Sequence, residues 1–151
     1  MHLHIIATGK CRHKPLLELE AEYTKRLPKH WQYQVTELPE AATPQAEAKH
    51  QLAAFNKLAK PTVLIALDET GQHLTSPQFA QKLESFQQQG TKSLAILIGG
   101  ANGLHASIRQ QAQLVLAFGK LTFPHQLVRV LVAEQLYRAH TLLTGHPYHR
   151  A

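Results

Sequence analysis

Cysteine is almost absent from this chain, since Cys11 stands alone among 151 residues. One cysteine cannot form an intrachain disulfide, and it speaks against a zinc site built on cysteine. The longest apolar runs, such as residues 94–98, are far too short to span a bilayer, and the amino terminus lacks the long apolar core of a signal peptide. We therefore expect a cytoplasmic protein with neither a membrane partner nor a bound metal.

Two glycine signatures and one serine signature are missing as well. Gly99, Gly100 and Gly103 fit neither G-x-G-x-x-G nor the Walker A loop, and no Lys-Ser/Thr pair follows them. The chain also has no G-x-S-x-G elbow. These absences disfavour a dinucleotide site, an ATP-phosphate site and a serine nucleophile.

Acidic side chains are few, with 10 Asp and Glu against 16 Lys and Arg, which gives a formal charge of +6. Eleven histidines add charge as the pH falls towards their ordinary pKa of ~6.5. This excess suits an anionic partner such as nucleic acid, although charge alone does not separate that partner from a membrane surface or from simple solubility. The length and the 44% hydrophobic content suit one domain over residues 1–151.

Short apolar runs alternate with segments of helical spacing along the whole chain. The resulting order, βαβαβαβαβα, predicts an α/β fold with a mainly parallel sheet and helices on both of its faces. The predicted strands are 2–8, 32–38, 62–67, 93–98 and 114–118. The predicted helices are 15–27, 43–59, 77–90 with Ser76 as its N-cap, 104–113 and 124–144.

Three predicted strand ends carry the candidate binding residues. They are Leu67 with Asp68 and Glu69, the glycine turn 99–103, and the loop 118–123. Ligands of open parallel sheets bind beyond the carboxyl ends of strands, and glycines let backbone N–H groups approach a ligand closely. A tight turn that needs glycine and a solvated acidic strand end are the alternatives for the first two features.

The last predicted helix is apolar nearly all round, so we expect both of its sides to be buried, one by the sheet and the other by a second subunit. His125 and Arg129 lie one turn apart, and we assign them to a functional site next to the loop 118–123. Glu134 and Arg138 are suitably spaced for a salt bridge, which is the structural alternative to a functional Arg138.

The chain closes on aromatic, imidazole and guanidinium groups between His146 and Arg150. Tyr148 is suited to stacking or hydrogen bonding and Arg150 to phosphate, a combination typical of RNA recognition. A disordered basic tail is the main alternative. A metal site is disfavoured because acidic residues and cysteine are absent nearby.

Taken together, these segments resemble the ribosomal large-subunit methyltransferase H family. The strongest likeness is in residues 97–104, 121–130, 134–138 and 147–150, and a weaker one extends through 5–10 and 66–71. The resemblance therefore covers essentially the whole chain. It implies a SPOUT-type fold with a C-terminal trefoil knot and a homodimer that methylates N3 of a pseudouridine in 23S rRNA on assembled ribosomes.

The resemblance also implies S-adenosylmethionine as cofactor and assigns residues to it by position. The cofactor-binding residues it implies are Leu67, Gly99, Phe118, Gly119, Lys120, Leu121, Thr122 and Phe123. In the predicted chemistry His125 or His149 takes the N3 proton, and Arg129, Arg138 and Arg150 hold RNA phosphates or the developing anion. The terminal cluster that includes Tyr148 is expected to complete the pocket of the other subunit.

Two other functions compete with this interpretation. One is a non-catalytic RNA-binding module on the same scaffold, which would not bind the cofactor. The other is an enzyme or sensor of a different anionic nucleotide, for which the glycine spacing is poor.

Overall fold

Five strands and five helices alternate along the computed structural model, which describes residues 1–150. The strands are β1 (His2–Thr8), β2 (Gln32–Leu38), β3 (Thr62–His73), β4 (Ser93–Ile98) and β5 (Leu114–Ala117). The helices are α1 (Lys14–Thr24), α2 (Pro44–Asn56), α3 (Ser76–Gln88), α4 (Ala106–Gln111) and α5 (His125–Thr144). The predicted order of elements is confirmed.

All five strands form one parallel sheet in the order β2-β1-β4-β3-β5. The central strand β4 is buried at all six positions, because helices cover both faces of the sheet there. A strand buried on both faces must be apolar throughout, which is why its sequence is nearly continuous and not alternating. The predicted parallel α/β architecture is confirmed.

Two apolar layers hold the helices against the sheet. One layer contains side chains of α3 and α5, and α1 joins it by packing against α5. The other contains Ala48 of α2 and Ile108 of α4 on the opposite face. Both faces are therefore covered, as the sequence predicts.

The sequence placed the start of α3 one residue too far along the chain. Thr75, and not Ser76, is the N-cap: its hydroxyl accepts from the Gln78 amide at 3.2 Å, and the Gln78 side chain accepts from the Thr75 amide at 2.8 Å. Ser is in general the better N-cap, but only Thr75 has Gln at the third helical position and so completes a capping box.

Strand β3 is longer than predicted because it pairs with β5 twice. Leu67 faces Leu116, the chain then bulges out, and Gln72 faces Leu116 again. A Cβ at Gly71 would lie 2.7 Å from the Val115 backbone, so only glycine allows this return. Residues 68–70 form this bulge, and they lie at the carboxyl edge of the sheet.

Much of α5 is buried within the chain, where it packs against α1 and α3. Its buried residues are Arg129, Val130, Val132, Ala133, Leu136, Tyr137, Ala139 and Thr141. Leu127 and Leu131 are only partly buried, and cover by a second subunit stays a prediction. Within residues 1–150 no helix combines the length and the hydrophobicity needed to cross a bilayer.

Candidate active site

A pocket of about 840 Å³ opens at the carboxyl ends of β4, β3 and β5, beside the first turn of α5. The three predicted strand ends meet there because parallel strands all finish at one edge of the sheet. The pocket is lined by residues 67–70, 98–104, 116–119 and 121–125, together with Arg109 and Val128.

Seven of the eight residues assigned to the cofactor line this pocket. They are Leu67, Gly99, Phe118, Gly119, Leu121, Thr122 and Phe123. Lys120 is the exception, since it is exposed and does not line the pocket. Leu121 is 76% exposed although it is apolar. The structure therefore brings the predicted set together, and its cofactor role stays a prediction.

Three polar contacts tie the pocket loops to one another. Asp68 pairs with Arg109 at 3.2 Å, and Arg109 also donates to the Leu104 carbonyl at 2.7 Å. Glu69 accepts a hydrogen bond of 3.0 Å from the Thr122 hydroxyl. Sequence reasoning missed Arg109 because its partner lies 41 residues away along the chain, a separation that leaves no local signal.

Hydrogen bonds from the loop between β2 and α2 hold the glycine turn 99–103 in place. Asn102 donates to the Ala41 carbonyl at 3.1 Å, and the Ala41 amide donates to Glu47 at 3.2 Å. Glu47 is 1% exposed and lies beneath Gly100, whose Cβ position is 3.6 Å from a Glu47 carboxylate oxygen. The loop between β2 and α2 therefore holds the pocket wall in place.

His125 is the predicted catalytic residue that lines the pocket. It begins α5. A Cβ added at Gly9, on the loop that follows β1, would lie 3.3 Å from the His125 Nε2. The same added Cβ would lie 3.0 Å from a carboxylate oxygen of Glu40. Among residues 1–150 the His125 ring makes no hydrogen bond, so it is available to a ligand.

Arg129 does not point into the pocket, which corrects the expectation that it holds RNA or the reacting anion. Its guanidinium donates to Glu20 at 2.9 and 3.4 Å and to Glu37 at 2.8 Å, and the residue is 6% exposed. Burial works against the charged form, but the hydrogen bonds and charges of Glu20 and Glu37 outweigh it, so the pKa of Arg129 is raised. Arg129 is a buried link between α5, α1 and β2.

The predicted terminal cluster forms around the last turns of α5. Glu134 accepts from Arg138 at 2.6 and 2.9 Å and from the Tyr148 hydroxyl at 3.0 Å. The Arg138 guanidinium also stacks over the Tyr148 ring at 4.7 Å, and it lies 3.1 Å from Nδ1 of His149. Burial and the hydrogen bond to Glu134 raise the pKa of Tyr148 to about 12. Arg150 is exposed beyond this cluster.

The two halves of the predicted catalytic set lie far apart within one chain. Arg138 follows His125 by 13 residues in the same helix. At a rise of 1.5 Å per residue, that spacing separates them by about 20 Å along the helix axis. Within one chain, Arg138 therefore lies well away from the His125 end of the helix.

Comparison with known proteins decides the family. The profile described as Predicted SPOUT methyltransferase matches residues 1–149. The chain belongs to the SPOUT methyltransferase family. It is 42% identical over 151 residues to a protein of Paramagnetospirillum magneticum and 43% identical over 159 residues to one of Agrobacterium fabrum, both named Ribosomal RNA large subunit methyltransferase H. Each match covers 99% of both chains.

A solved structure supports the fold independently. The structure of a probable methylase family protein from Haemophilus influenzae aligns with a TM-score of 0.58 at 13% identity. The alignment covers 97% of this chain and 67% of the other. The family match and the relatives confirm the resemblance found in the sequence, and the chain is an enzyme of the methyltransferase class.

Within this methyltransferase, hydrogen-bond chemistry separates the two candidate bases. A guanidinium only donates, so Nδ1 of His149 must accept the bond from Arg138 and Nε2 must carry the ring proton. The Nδ1 atom of His149 is thus occupied by Arg138 while that contact holds. The His125 ring lies at the pocket wall, and its role as the base stays a prediction.

Proposed function

We propose that this protein transfers a methyl group from S-adenosylmethionine to N3 of a pseudouridine in 23S rRNA of the assembled ribosome. The observation that carries the proposal is full-length identity of about 42% to proteins named Ribosomal RNA large subunit methyltransferase H. The pocket supports it, because the residues assigned to the donor come together at one sheet edge. The proposed protein is cytoplasmic, forms one domain over residues 1–151 and contains a C-terminal trefoil knot.

The pocket fits an adenosyl group in size and in chemistry. Its volume of about 840 Å³ lies within the usual range of small-molecule sites, which is about 300–1,000 Å³. Leu67, Gly99 and the loop 118–123 offer backbone amides, carbonyls and apolar surface to the base and sugar. Glu69 adds a carboxylate to the pocket wall, which suits a cationic donor.

The donor, when bound, supplies a methyl group that its sulfonium already activates, so the protein has to orient the acceptor and remove one proton. The N3–H proton of the pseudouridine must leave as the new N–C bond forms. His125 is the base in this proposal, because its ring lines the pocket and is not tied to another side chain. Phe118 and Phe123 help to exclude water from the reacting atoms.

A homodimer is part of the proposal because one chain does not assemble the whole site. Arg138, which belongs to the terminal cluster with Tyr148, His149 and Arg150, lies about 20 Å from His125 along α5. A second subunit related by two-fold symmetry brings that cluster to the first subunit's pocket. There Tyr148 stacks on or hydrogen-bonds to the nucleobase, and Arg138 and Arg150 hold phosphate or the developing negative charge.

The direct experiment is mass spectrometry of 23S rRNA from a strain that lacks the protein. We expect one methyl group to disappear from a single pseudouridine and to return with the wild-type protein but not with His125→Ala. His50→Ala is the matched control, since His50 is exposed on α2 and does not line the pocket. Intact methylation in the deletion strain would refute the proposal.

Calorimetry with S-adenosylmethionine tests the competing RNA-binding module. We expect saturable binding to the wild-type protein and weaker binding to Gly99→Ala, because a Cβ at Gly99 would lie 2.9 Å from the Leu104 side chain and shift the pocket wall. No heat at millimolar donor would favour the non-catalytic module.

A further inference from the structure

The basic loop, defined here as residues 10–14 from the loop after β1 to the first residue of α1, carries the densest positive charge at the carboxyl edge of the sheet. Lys10, Arg12 and Lys14 are all exposed there within five positions. In the part of the chain that the structure describes, the only ion pair of these residues is Lys14 with Glu18, at 3.9 Å and with both side chains largely exposed. Such an exposed pair is weak, so Glu18 neutralises little of the positive charge of this segment.

The backbone that carries these charges is fixed and close to the pocket. Cys11 is buried, and its amide donates to Glu37 at 2.7 Å. The Gly9 amide donates to the Leu38 carbonyl at 2.8 Å, and Gln126 donates to the Lys10 carbonyl at 3.4 Å. Because Gln126 is the neighbour of His125 in α5, the basic loop lies directly beside the predicted base.

The other loops at this edge do not offer comparable charge. The loop after β2 and the bulge within β3 carry the carboxylates of Glu40, Asp68 and Glu69, and the glycine turn after β4 is uncharged. Lys120, in the loop after β5, is the other exposed cation. In the strand order, β1 and β5 lie on opposite sides of the β4–β3 pair. The positive charges therefore flank the pocket while its interior is acidic or neutral.

A shallow cleft of about 450 Å³ separates the basic loop from the loop after β2. Lys10 and Arg12 line it together with Glu37 and Glu40. Glu37 shares the Arg129 guanidinium, at 2.8 Å, with the buried Glu20, so it is tied to the interior of the protein. The positive charge that this cleft offers to a phosphate comes from the exposed side chains of Lys10 and Arg12.

We infer that the loop of residues 10–14 docks the phosphate backbone of the substrate RNA beside the target nucleotide. This inference rests on the proposed function, since it places the strand whose base enters the pocket. Lysine and arginine on a fixed backbone neutralise phosphates and release counterions, which makes the affinity depend on salt. The loop supplies position and affinity, while the base is recognised inside the pocket.

The test compares two triple variants that remove equal charge. Lys10→Gln/Arg12→Gln/Lys14→Gln changes the basic loop. Lys57→Gln/Lys60→Gln/Lys92→Gln changes three exposed lysines near the amino ends of the strands, at the opposite edge of the sheet. Affinity for a labelled, protein-free 23S rRNA fragment is measured by fluorescence anisotropy between about 50 and 200 mM salt, the range in which phosphate contacts show most clearly. Donor affinity is measured by calorimetry, and kcat/KM is measured on ribosomes that lack the methyl group.

We expect the loop variant to bind the RNA fragment about tenfold more weakly and to lower the slope of log affinity against log salt by about 2, since each contact to a single strand contributes about 0.7. Its kcat/KM should fall in parallel while its donor affinity stays at the wild-type value. The control should change RNA affinity less than about twofold, as expected for charges outside a contact surface. The single variants Lys10→Gln and Arg12→Gln carry the same test if the triple variant does not fold.

Two failures are distinguishable. If the loop variant and the control bind RNA equally and with equal slopes while the wild type methylates ribosomes, the docking inference is overturned and the proposed function stands. The docking inference is also overturned, and the proposed function stands, if the loop variant loses kcat/KM on ribosomes but keeps its affinity for protein-free RNA. The loop would then contact a ribosomal protein. If the wild type neither binds the donor nor methylates, the proposed function falls and the docking inference falls with it.

Discussion

Arg129 and Glu20 form a buried ion pair that joins α5 to α1, with 2.9 Å between Nη2 and Oε1. Their side chains are 7% and 9% exposed, and the Tyr33 hydroxyl donates to the same carboxylate at 2.6 Å. Removal of the arginine would leave Glu20 buried without its counter-charge. We expect Arg129→Ala to lower the free energy of unfolding by about 3–5 kcal/mol, measured by urea denaturation.

The control for this prediction is Arg150→Ala, which removes an exposed guanidinium near the end of the chain. Its effect on the free energy of unfolding should stay within about 0.5 kcal/mol. A loss of turnover by Arg129→Ala at unchanged stability would instead restore Arg129 to the catalytic set.

The sequence could identify the pairing of Glu134 with Arg138 but not that of Arg129. The first pair is local, at the i,i+4 spacing that a helix brings together. The partners of Arg129 lie 109 and 92 residues away in the chain. Local spacing carries no information about them, so a buried structural arginine and a functional one look identical in the sequence.

The pocket followed from the sequence because parallel strands finish at one edge, and that rule depends only on the order of elements. Its finer geometry did not follow. The bulge after Leu67 needs Gly71 to pass the β5 backbone, and the Asp68–Arg109 pair depends on where α4 begins. Both are set by packing between elements and not by local propensity.

Gly9 lies between the side chains of Glu40 and His125, and its lack of a side chain lets both approach it closely. Its φ is +93°, and an added Cβ would lie 3.0 Å from the Glu40 carboxylate and 3.3 Å from Nε2 of His125. We expect Gly9→Ala to lose about 1–2 kcal/mol of stability through backbone strain and, in addition, to lower kcat for methylation because the His125 ring is displaced.

Gly90→Ala separates the two effects. Gly90 has a φ of +84°, but its added Cβ would meet nothing within 4 Å. The same backbone strain should therefore appear in urea denaturation, while kcat stays at the wild-type value. If both variants lost turnover equally, displacement of His125 would not be the cause.

The lowered pKa of His140, which packs against Trp31, predicts that stability depends on pH. The two rings meet edge to face at 5.7 Å, and burial, together with His30 and His146, lowers the pKa of His140 from its ordinary 6.5. Below pH 6.5 the unfolded chain therefore takes up a proton that the folded chain resists, so this contribution to stability is lost as the pH falls. We expect Tm to fall from pH 7 to pH 5, and to fall less in His140→Phe. An equal fall in both proteins would contradict this.

The proposed division of the site between two subunits predicts complementation between two inactive variants. His125→Ala keeps the terminal cluster, and truncation after Gly145 keeps His125. If the cluster acts on the partner's pocket, a heterodimer of the two, isolated with two different affinity tags, has one complete site out of two. Its methylation rate should be about half that of the wild type, as two-fold symmetry requires. If each tail serves its own pocket, the heterodimer has no complete site, and it should be as inactive as either parent.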